Sequence, residues 1–301
     1  MDGPFLTALR ELPSAVRSKV SLKPLSHVRI GGPAEWLVEP HGEVELAQLV
    51  RVCRGHDVPL RVLGGGSNLL IGDAGVRGVV VKLDALSRVV RDGSRLTAGA
   101  GVTLPSLLRM AREQGLAGLE VLTGVPAQVG GAVAMNAGTR EGETFDSLLS
   151  LTVVEPDGEI RVLPRADCEP RYRDGGLGER IVVHATFDLR EDDPKEIYAR
   201  FEHYLKFRNA TQPVSERSVG CVFRNPSGDA AGRLIERAGC KMMRRGAIHV
   251  SGKHANYFVN DGDGTCADFV LLVDDVREKV RKEFGVELEL EVERWDVPGL
   301  E

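Results

Sequence analysis

The 301-residue sequence contains no apolar run that approaches the ~18 residues of a membrane-spanning helix. Charged residues interrupt its first twenty positions every few residues, so this segment is not expected to act as a signal peptide or a membrane anchor. Basic residues are not in excess either, because 39 Lys and Arg are dispersed among 44 Asp and Glu. These absences favour a soluble protein with neither a membrane nor a nucleic-acid partner.

Cysteine is sparse as well. The five cysteines are an odd number and form no CxxC pair; they are Cys53, Cys168, Cys221, Cys240 and Cys266. A disulfide framework or a zinc site is therefore not expected, and no metal is predicted. Free thiols are typical of the reducing cytoplasm, which is the predicted location.

The common nucleotide-binding motifs are also missing. No Gly-Lys-Ser/Thr follows the glycine-rich loop, which excludes a Walker A motif. The loop at 64–68 runs into the turn-rich Leu69–Asp73 rather than into a helix, which is not the pattern of a GxGxxG dinucleotide fingerprint. A standard Rossmann lobe is therefore not expected.

Glycine, by contrast, is abundant, and two clusters stand out among the 35 glycines. In the first, Gly64–Gly66 precede Ser67 and Asn68, so successive backbone N–H groups could form a nest for phosphate oxygens. The second, Gly124–Gly138, consists mainly of small residues, which permits a flat ring to lie against the backbone. A tight turn or close packing would explain either cluster taken alone.

The length predicts more than one lobe, because a single core rarely grows past ~250–300 residues. Apolar periodicity and turn residues predict helices and strands along the whole chain. The helices are expected around Leu46–Cys53, Tyr198–Arg208, Ala230–Ala238 and Val273–Phe284, and the strands around Val62-Leu63, Val79–Val81, Leu151–Leu163 (a hairpin), Ile181–Leu189 and Val286–Val292. The predicted fold class is α+β, with a first domain at 1–195, divided near residue 85, and a smaller one at 196–301.

Several longer segments resemble one protein family. RIGGPAEWLVEP (Arg29–Pro40), VLGGGSNLL (Val62–Leu70) and GCVFRNP (Gly220–Pro226) are similar to motifs of the UDP-N-acetylenolpyruvoylglucosamine reductase (MurB) family, and they occur in that family's order. The second glycine cluster is similar to the family's IPGxVGGAxxMNAGAY. The resemblance implies an FAD-binding lobe of the vanillyl-alcohol oxidase/p-cresol methylhydroxylase type and a C-terminal α+β substrate lobe.

The resemblance also implies that both clusters bind FAD. The cofactor-binding residues carried over are Gly64, Gly65, Gly66, Ser67, Asn68, Gly124, Pro126, Gly130, Gly131, Ala132, Asn136, Ala137 and Gly138. Ala127 and Thr139-Arg140 depart from the family pattern, but the GGA and MNAG cores are intact. Neither cluster contains a histidine, so the FAD is expected to be non-covalent, with NADPH as the implied co-substrate.

The implied reaction is the reduction of the enol ether of UDP-N-acetylglucosamine enolpyruvate to UDP-N-acetylmuramate, in peptidoglycan precursor synthesis. Hydride addition next to a carboxylate builds negative charge there, so the protein must supply donors. Arg173, in Tyr172-Arg173-Asp174, matches the family's catalytic arginine, and its guanidinium suits a carboxylate. Gly175 replaces the family's serine. A surface ion pair with Asp174 or Glu169 is the alternative interpretation.

A proton donor is the second requirement. Cys221 matches the serine or cysteine that acts as the acid in the family, and a thiol of pKa ~8.5 is a stronger acid than a serine hydroxyl. Its surroundings alone would make it a small core residue.

The resemblance assigns the third catalytic role to Glu291, beside the arginine on the enolate. If Leu288–Val292 is a strand, Glu287, Glu289, Glu291 and Glu293 share one face, which would otherwise be a solvated acidic face. Leu290 replaces the family's proline, and a shift of the alignment would transfer the role to Glu289.

Substrate binding is assigned to Arg208, Gln212 and Asn225, while the segment Lys253–Asn260 is interpreted as packing.

Two other functions fit parts of the pattern. An FAD-dependent alcohol oxidase of the same superfamily would share the first lobe but not the motifs around Cys221 and Glu291. A non-catalytic nucleotide-binding module would leave the three acid, base and arginine candidates unexplained.

Overall fold

A computed structural model describes residues 3–139 and 141–300. Its contacts divide the chain into two compact units. Unit 1 comprises the chain up to Ser18, Trp36–Gly65 and Gly78–Phe207, and unit 2 comprises Lys19–Glu35, Gly66–Arg77 and the chain from Arg208 onward. The domain boundary at 195 stays a prediction; the contacts change unit at 207/208 and place two early segments with the C-terminal part.

Helices and strands are interspersed along the chain. The helices are α1 Pro4–Arg10, α2 Glu43–Gly55, α3 Leu104–Glu113, α4 Val129–Ala134, α5 Pro194–Thr211, α6 Ala231–Arg237 and α7 Cys266–Phe284. The strands are β1 Val16–Ser21, β2 Pro33–Val38, β3 Leu60–Val62, β4 Leu69–Ile71, β5 Val76–Val81, β6 Val89–Asp92, β7 Arg95–Gly99, β8 Leu116–Ala117, β9 Gly138–Thr139, β10 Gly142–Glu143, β11 Leu148–Val154, β12 Ile160–Pro164, β13 Ile181–Asp188, β14 Arg190–Glu191, β15 Ser218–Cys221, β16 Arg244–Arg245, β17 Ile248–Val250, β18 Tyr257–Asn260 and β19 Glu293–Trp295.

Unit 1 contains a five-stranded sheet in the order β12-β11-β13-β7-β6. Its β11–β12 hairpin was predicted, and Leu151 pairs with Leu163 in antiparallel register. Gly158 closes the turn at a φ of 82°, a conformation that favours glycine. A four-stranded sheet, β1-β2-β5-β3, brings β3 and β5 together in parallel. Helix α2 was also predicted, and its apolar positions Leu46, Leu49, Val50 and Cys53 are buried.

Unit 2 contains the sheet β15-β18-β17-β16. Its core includes Phe223, Phe258 and Phe269, which are fully buried. Helix α7 begins at Thr265, whose side chain accepts a hydrogen bond from the Asp268 N–H, and ends at a left-handed Gly285. The helix was predicted from its apolar stripe over Val273–Phe284, and the structure extends it back to Cys266.

The predicted strand Val286–Val292 is wrong. Leu290 makes a single bridge to Phe223, and the regular strand β19 begins only at Glu293, where the chain pairs in parallel with β4. The segment therefore changes partner within a few residues and cannot form one continuous ladder. Leu69–Asp73 is not helical, as predicted, although its first part is strand β4.

Within 3–139 and 141–300, no helix is both long and apolar enough to span a membrane. The same residues contain no group of three or more His, Cys, Asp or Glu side chains placed to hold a metal ion.

Candidate functional site

The first glycine cluster follows β3, as expected, and the unit boundary falls within it. Gly64 and Gly65 belong to unit 1, while Gly66–Asn68 belong to unit 2. Gly66 has a φ of 62°, and a Cβ there would stand 2.6 Å from the Leu25 carbonyl oxygen, so the fold itself requires this glycine. A Cβ at Gly64 would meet only Gln128 Oε1, at 3.6 Å, which is an ordinary contact.

The two glycine clusters lie against each other within unit 1. A Cβ on Gly65 would be 3.3 Å from the Pro126 carbonyl oxygen. Ala127, which departs from the family pattern, keeps a backbone bond, because its carbonyl accepts the Leu104 N–H at 2.8 Å. The backbone of the first cluster at Gly65 therefore lies close to that of the second cluster at Pro126.

The second cluster contains the short helix α4, and its glycines differ in whether packing leaves room for a side chain. A Cβ at Gly130 would be 2.9 Å from the Ala100 Cβ, so close packing requires this glycine. Gly138 is required in the same way, because a Cβ there would be 2.5 Å from the Gly142 carbonyl oxygen. At Gly131, no atom of the described residues outside the helix itself lies within 4 Å of the position that a Cβ would take. Gly131 thus leaves open space beside the helix, which fits a bound cofactor, and Gly64 has room for a Cβ in ordinary contact with Gln128.

The remaining residues of this cluster support its backbone. Gly124 has a φ of 79°, and the buried Ala132 carries an N–H that bonds the Gln128 carbonyl at 2.9 Å. The Ala137 carbonyl accepts the Thr144 N–H at 2.8 Å. Arg140, the other departure from the family pattern, lies outside the described residues.

Arg173 occupies the tip of a tight hairpin in unit 1. Arg171 and Asp174 exchange backbone hydrogen bonds of 2.7 and 3.1 Å across it. Arg173 has a φ of 57°, which is unusual for a residue with a side chain, and its guanidinium carbon lies 4.8 Å from the centre of the Tyr172 ring. The hairpin therefore holds the arginine in a defined backbone conformation.

The same hairpin is bonded to the end of α4. The Gly175 N–H donates to the Ala134 carbonyl at 2.8 Å, and a Cβ on Gly175 would be 2.4 Å from the Val133 carbonyl oxygen. A serine, usual here in the family, has no room in this arrangement. The structure thus brings Arg173 and the second glycine cluster together.

A cavity of about 740 Å³ lies beside β3 in unit 1 and was not predicted. Its walls are mostly aliphatic, with a few charged and glycine residues: Val50, Cys53, Arg54, Val58, Leu60, Val62, Pro156, Gly178, Glu179, Arg180 and Ile181. These residues come from separate segments of the chain, and no local motif marks them. The cavity reaches Val62, two residues before the first glycine cluster.

In unit 2, Cys221 is the last residue of β15 and pairs with Tyr257 of β18. The other four cysteines are buried, whereas Cys221 is half-buried. Burial raises the pKa of Cys53 and of Cys266 to about 12. The interpretation as a small core residue therefore describes those four thiols better than it describes Cys221.

Glu291 lies next to the Cys221 segment. Its N–H donates to the Val222 carbonyl at 2.8 Å, and its own carbonyl accepts from Asn68 Nδ2 at 3.2 Å. The other three glutamates at alternate positions, Glu287, Glu289 and Glu293, are exposed, whereas Glu291 is half-buried. A Cβ on Gly220 would be 3.8 Å from the Ser67 carbonyl oxygen. Unit 2 therefore brings Ser67, Asn68, Cys221 and Glu291 into one neighbourhood.

The candidate substrate residues have different surroundings. Gln212 accepts a hydrogen bond from the Tyr257 hydroxyl at 3.0 Å, which connects it to the residue opposite Cys221. Asn225 Oδ1 accepts the Ala231 N–H at 3.0 Å, at the start of α6. Arg208 is half-buried near the end of α5. The hydroxyl of Tyr257 was not singled out in the sequence, where this residue was interpreted as packing.

Comparison with known proteins connects both units to one family. The model of the UDP-N-acetylenolpyruvoylglucosamine reductase C-terminal domain matches residues 212–295, and an FAD binding domain matches residues 34–163. A reductase of that name from Moorella thermoacetica is 42% identical over 296 residues, covering 96% of this chain and 98% of the relative. UDP-N-acetylenolpyruvoylglucosamine reductase 2 of Symbiobacterium thermophilum is 40% identical, with 97% of each chain covered.

Solved structures give the same result. The crystal structure of the Thermus caldophilus reductase (MurB) aligns with a TM-score of 0.82 at 38% identity, covering 94% of this chain and 99% of that one. BBE-like 1 of Physcomitrella patens aligns with a TM-score of 0.50 at 16% identity, over 63% of this chain and 45% of that one, and shows the fold alone. The predicted α+β fold with an FAD-binding lobe of the vanillyl-alcohol oxidase type is confirmed. The chain is an FAD-dependent oxidoreductase and belongs to the UDP-N-acetylenolpyruvoylglucosamine reductase family.

Proposed function

We propose that this protein reduces UDP-N-acetylglucosamine enolpyruvate to UDP-N-acetylmuramate with NADPH, in the cytoplasm, as a step of peptidoglycan precursor synthesis. The observation that carries the proposal is the 42% identity to a reductase of this name over 96% of the chain. Both units contribute to that match, so it extends beyond the FAD-binding lobe.

The proposed cofactor cradle consists of the two glycine clusters, with the residues Gly64, Gly65, Gly66, Ser67, Asn68, Gly124, Pro126, Gly130, Gly131, Ala132, Asn136, Ala137 and Gly138. The open space at Gly131 supports it, because no packing contact of the described residues requires a glycine at this position. Bound FAD supplies a hydride at its N5 atom, and the protein supplies binding and orientation.

Three side chains carry the proposed chemistry on the substrate. Cys221 donates a proton to the carbon next to the one that receives hydride. Arg173 offers its guanidinium to the negative charge that develops on the carboxylate, and Glu291 acts on the same enolate. The partial exposure of Cys221 supports its role, because an acid must reach the substrate.

The nucleotide sugar is proposed to meet Arg208, Gln212 and Asn225. The bond between Gln212 and Tyr257 supports the assignment of Gln212, because it places this side chain near the strand position opposite Cys221. Asn225 Oδ1 is already engaged at the start of α6, which leaves its amide N–H groups as the donors for a ligand.

Turnover by the purified protein tests the proposal. We expect NADPH oxidation that depends on the enolpyruvyl nucleotide sugar, a product heavier by two hydrogens in mass spectrometry, and a flavin that acid precipitation releases completely. Oxygen consumption with simple alcohols and no reaction with the nucleotide sugar would contradict the proposal and favour an alcohol oxidase. Purification without flavin would favour a non-catalytic binding module.

A further inference from the structure

The side chain of Asn136 has no hydrogen-bond donor left for a ligand. It is 1% exposed, and its Nδ2 donates to Glu143 Oε2 at 2.6 Å and to the Arg171 carbonyl at 3.3 Å. Its Oδ1 accepts the Phe145 N–H at 3.3 Å. A carboxamide carries two N–H donors, and both are used within the protein. Any contact of Asn136 with the cofactor must therefore come from its backbone.

Asn136 lies two residues after the last residue of α4, and its backbone is left-handed. Its φ is 41°, and its N–H donates to the Val133 carbonyl at 3.0 Å. Asparagine is among the few side-chain-bearing residues that tolerate this conformation. The residue thus ends the helix of the proposed cofactor cradle and turns its amide towards the hairpin that carries Arg173.

That hairpin is bonded to the end of α4 on both sides of Arg173. Asn136 holds the carbonyl of Arg171, two residues before it, and the Ala134 carbonyl holds the N–H of Gly175, two residues after it. Arg173 itself has a φ of 57°, a conformation that persists only where the surroundings impose it.

We propose that Asn136 is a positioning residue whose buried amide fixes the Tyr172-Arg173 hairpin to the end of α4. The amide thereby determines the position of the Arg173 guanidinium relative to the second glycine cluster. The inference rests on the proposed role of Arg173 in reducing the nucleotide sugar. It assigns to the Asn136 side chain a function in the step that involves substrate, separate from cofactor retention.

Asn136→Gly tests this inference, because glycine keeps the left-handed backbone and removes only the amide. Stopped-flow absorbance of the holoenzyme follows flavin reduction by NADPH and flavin reoxidation by the enolpyruvyl nucleotide sugar separately. We expect FAD retention and unchanged reduction, with reoxidation slower by up to ~10²-fold, as for a misplaced catalytic group. Normal reoxidation, or an equal loss in both half-reactions, overturns the inference.

Thr144→Val is the matched control. The Thr144 hydroxyl is buried and donates to the Ala137 carbonyl at 2.7 Å, so the change removes a bond in the same loop without touching the hairpin. We expect a lower melting temperature and an unchanged ratio of the two half-reaction rates. A selective loss of reoxidation in Thr144→Val would show that loosening of the loop is sufficient and would overturn the inference.

A double-mutant cycle with Arg173→Ala separates this inference from the proposed function. If Asn136 acts through Arg173, Asn136→Gly adds no further loss in the Arg173→Ala background, whereas additive losses contradict it. Normal reoxidation in Arg173→Ala alone rejects the role of Arg173 and, with it, the inference.

If Asn136→Gly does not fold, Gly175→Ala disturbs the other bond of the hairpin, since its Cβ would stand 2.4 Å from the Val133 carbonyl oxygen. The same selective loss is then expected, and normal reoxidation overturns the inference.

Discussion

Among the glutamates at alternate positions from 287 to 293, Glu291 differs in its surroundings. It is half-buried, its backbone is held by Val222 and by the Asn68 amide, and the three others are exposed. Burial supports the alignment that selects Glu291 over Glu289. A solvated carboxylate has little influence on a reaction, because water screens its charge.

Glu291→Gln is expected to slow flavin reoxidation by the nucleotide sugar by ~10²–10³-fold, which lies within the usual contribution of a positioned acid–base group. The reduction of flavin by NADPH should not change. Glu289→Gln is the matched control on the exposed neighbour and should leave both steps at the wild-type rate. If Glu289→Gln is the impaired variant, the alignment is shifted by two positions.

Candidate site residues could be predicted where they lie in a sequence motif, but the hydrogen-bond partners of their side chains could not. Cys221 and Arg173 were selected because the sequence motifs around them resemble those of the family. The Asn68 amide was interpreted as a ligand donor in the sequence, yet in the structure it donates to the Glu291 carbonyl. An amide's partner depends on which distant backbone group the fold brings near, and no local pattern encodes that.

At the scale of elements, α4 places two adjacent glycines in opposite situations. Gly130 packs against Ala100, whereas the position of a Cβ on Gly131 is open. The sequence could show that small residues were needed in this segment, but it could not distinguish a glycine required by packing from one that leaves space for a ligand.

Gly131→Ala and Gly130→Ala form a matched pair that tests this distinction. We expect Gly131→Ala to keep or raise the melting temperature of the FAD-free protein, since alanine is favoured over glycine in a helix by ~1 kcal/mol. Its FAD affinity should fall, because the methyl group occupies cofactor space. Gly130→Ala should destabilise the fold by roughly 1–3 kcal/mol through overpacking. Unchanged FAD affinity in Gly131→Ala would remove α4 from the cradle.

Elements with strong local signals could be predicted, and those set by tertiary pairing could not. The β11–β12 hairpin has alternating apolar residues and a Pro-Asp-Gly turn, and α7 has a cap at each end. The segment 286–292 has a strand-like composition, but its backbone hydrogen bonds go to Val222 and Arg224, and the chain pairs with β4 only from Glu293 onward. Its partners are far away in sequence, so composition alone overestimated its regularity.

At the scale of the whole molecule, the compact units do not follow the order of the chain. Residues 19–35 and 66–77 cluster with the C-terminal part. Asn260 Nδ2 donates to the Val28 carbonyl at 2.9 Å, and Asp73 accepts the Cys266 N–H at 2.9 Å, so buried and half-buried polar contacts hold these segments to unit 2. The sequence pattern could indicate a domain boundary near residue 195. It could not indicate that residues 19–35 and 66–77 pack with the C-terminal part.

The residues with proposed roles in binding and catalysis are distributed over the two units. Unit 1 contains most of the cofactor cradle and Arg173, whereas unit 2 contains Cys221 and Glu291. We propose that hydride delivery depends on the flavin bound at the glycine clusters, and that the proton comes from the Cys221 thiol.

Single-turnover absorbance of Cys221→Ala tests this claim most directly, with anaerobic NADPH reduction followed by addition of the enolpyruvyl nucleotide sugar. We predict flavin reduction at the wild-type rate and reoxidation slower by ~10²–10⁴-fold, the usual contribution of a positioned general acid. Cys221→Ser should recover much of the second step, because a hydroxyl restores a donor at the same position. Reoxidation of Cys221→Ala at the wild-type rate would contradict the account, and so would an equal loss in both steps.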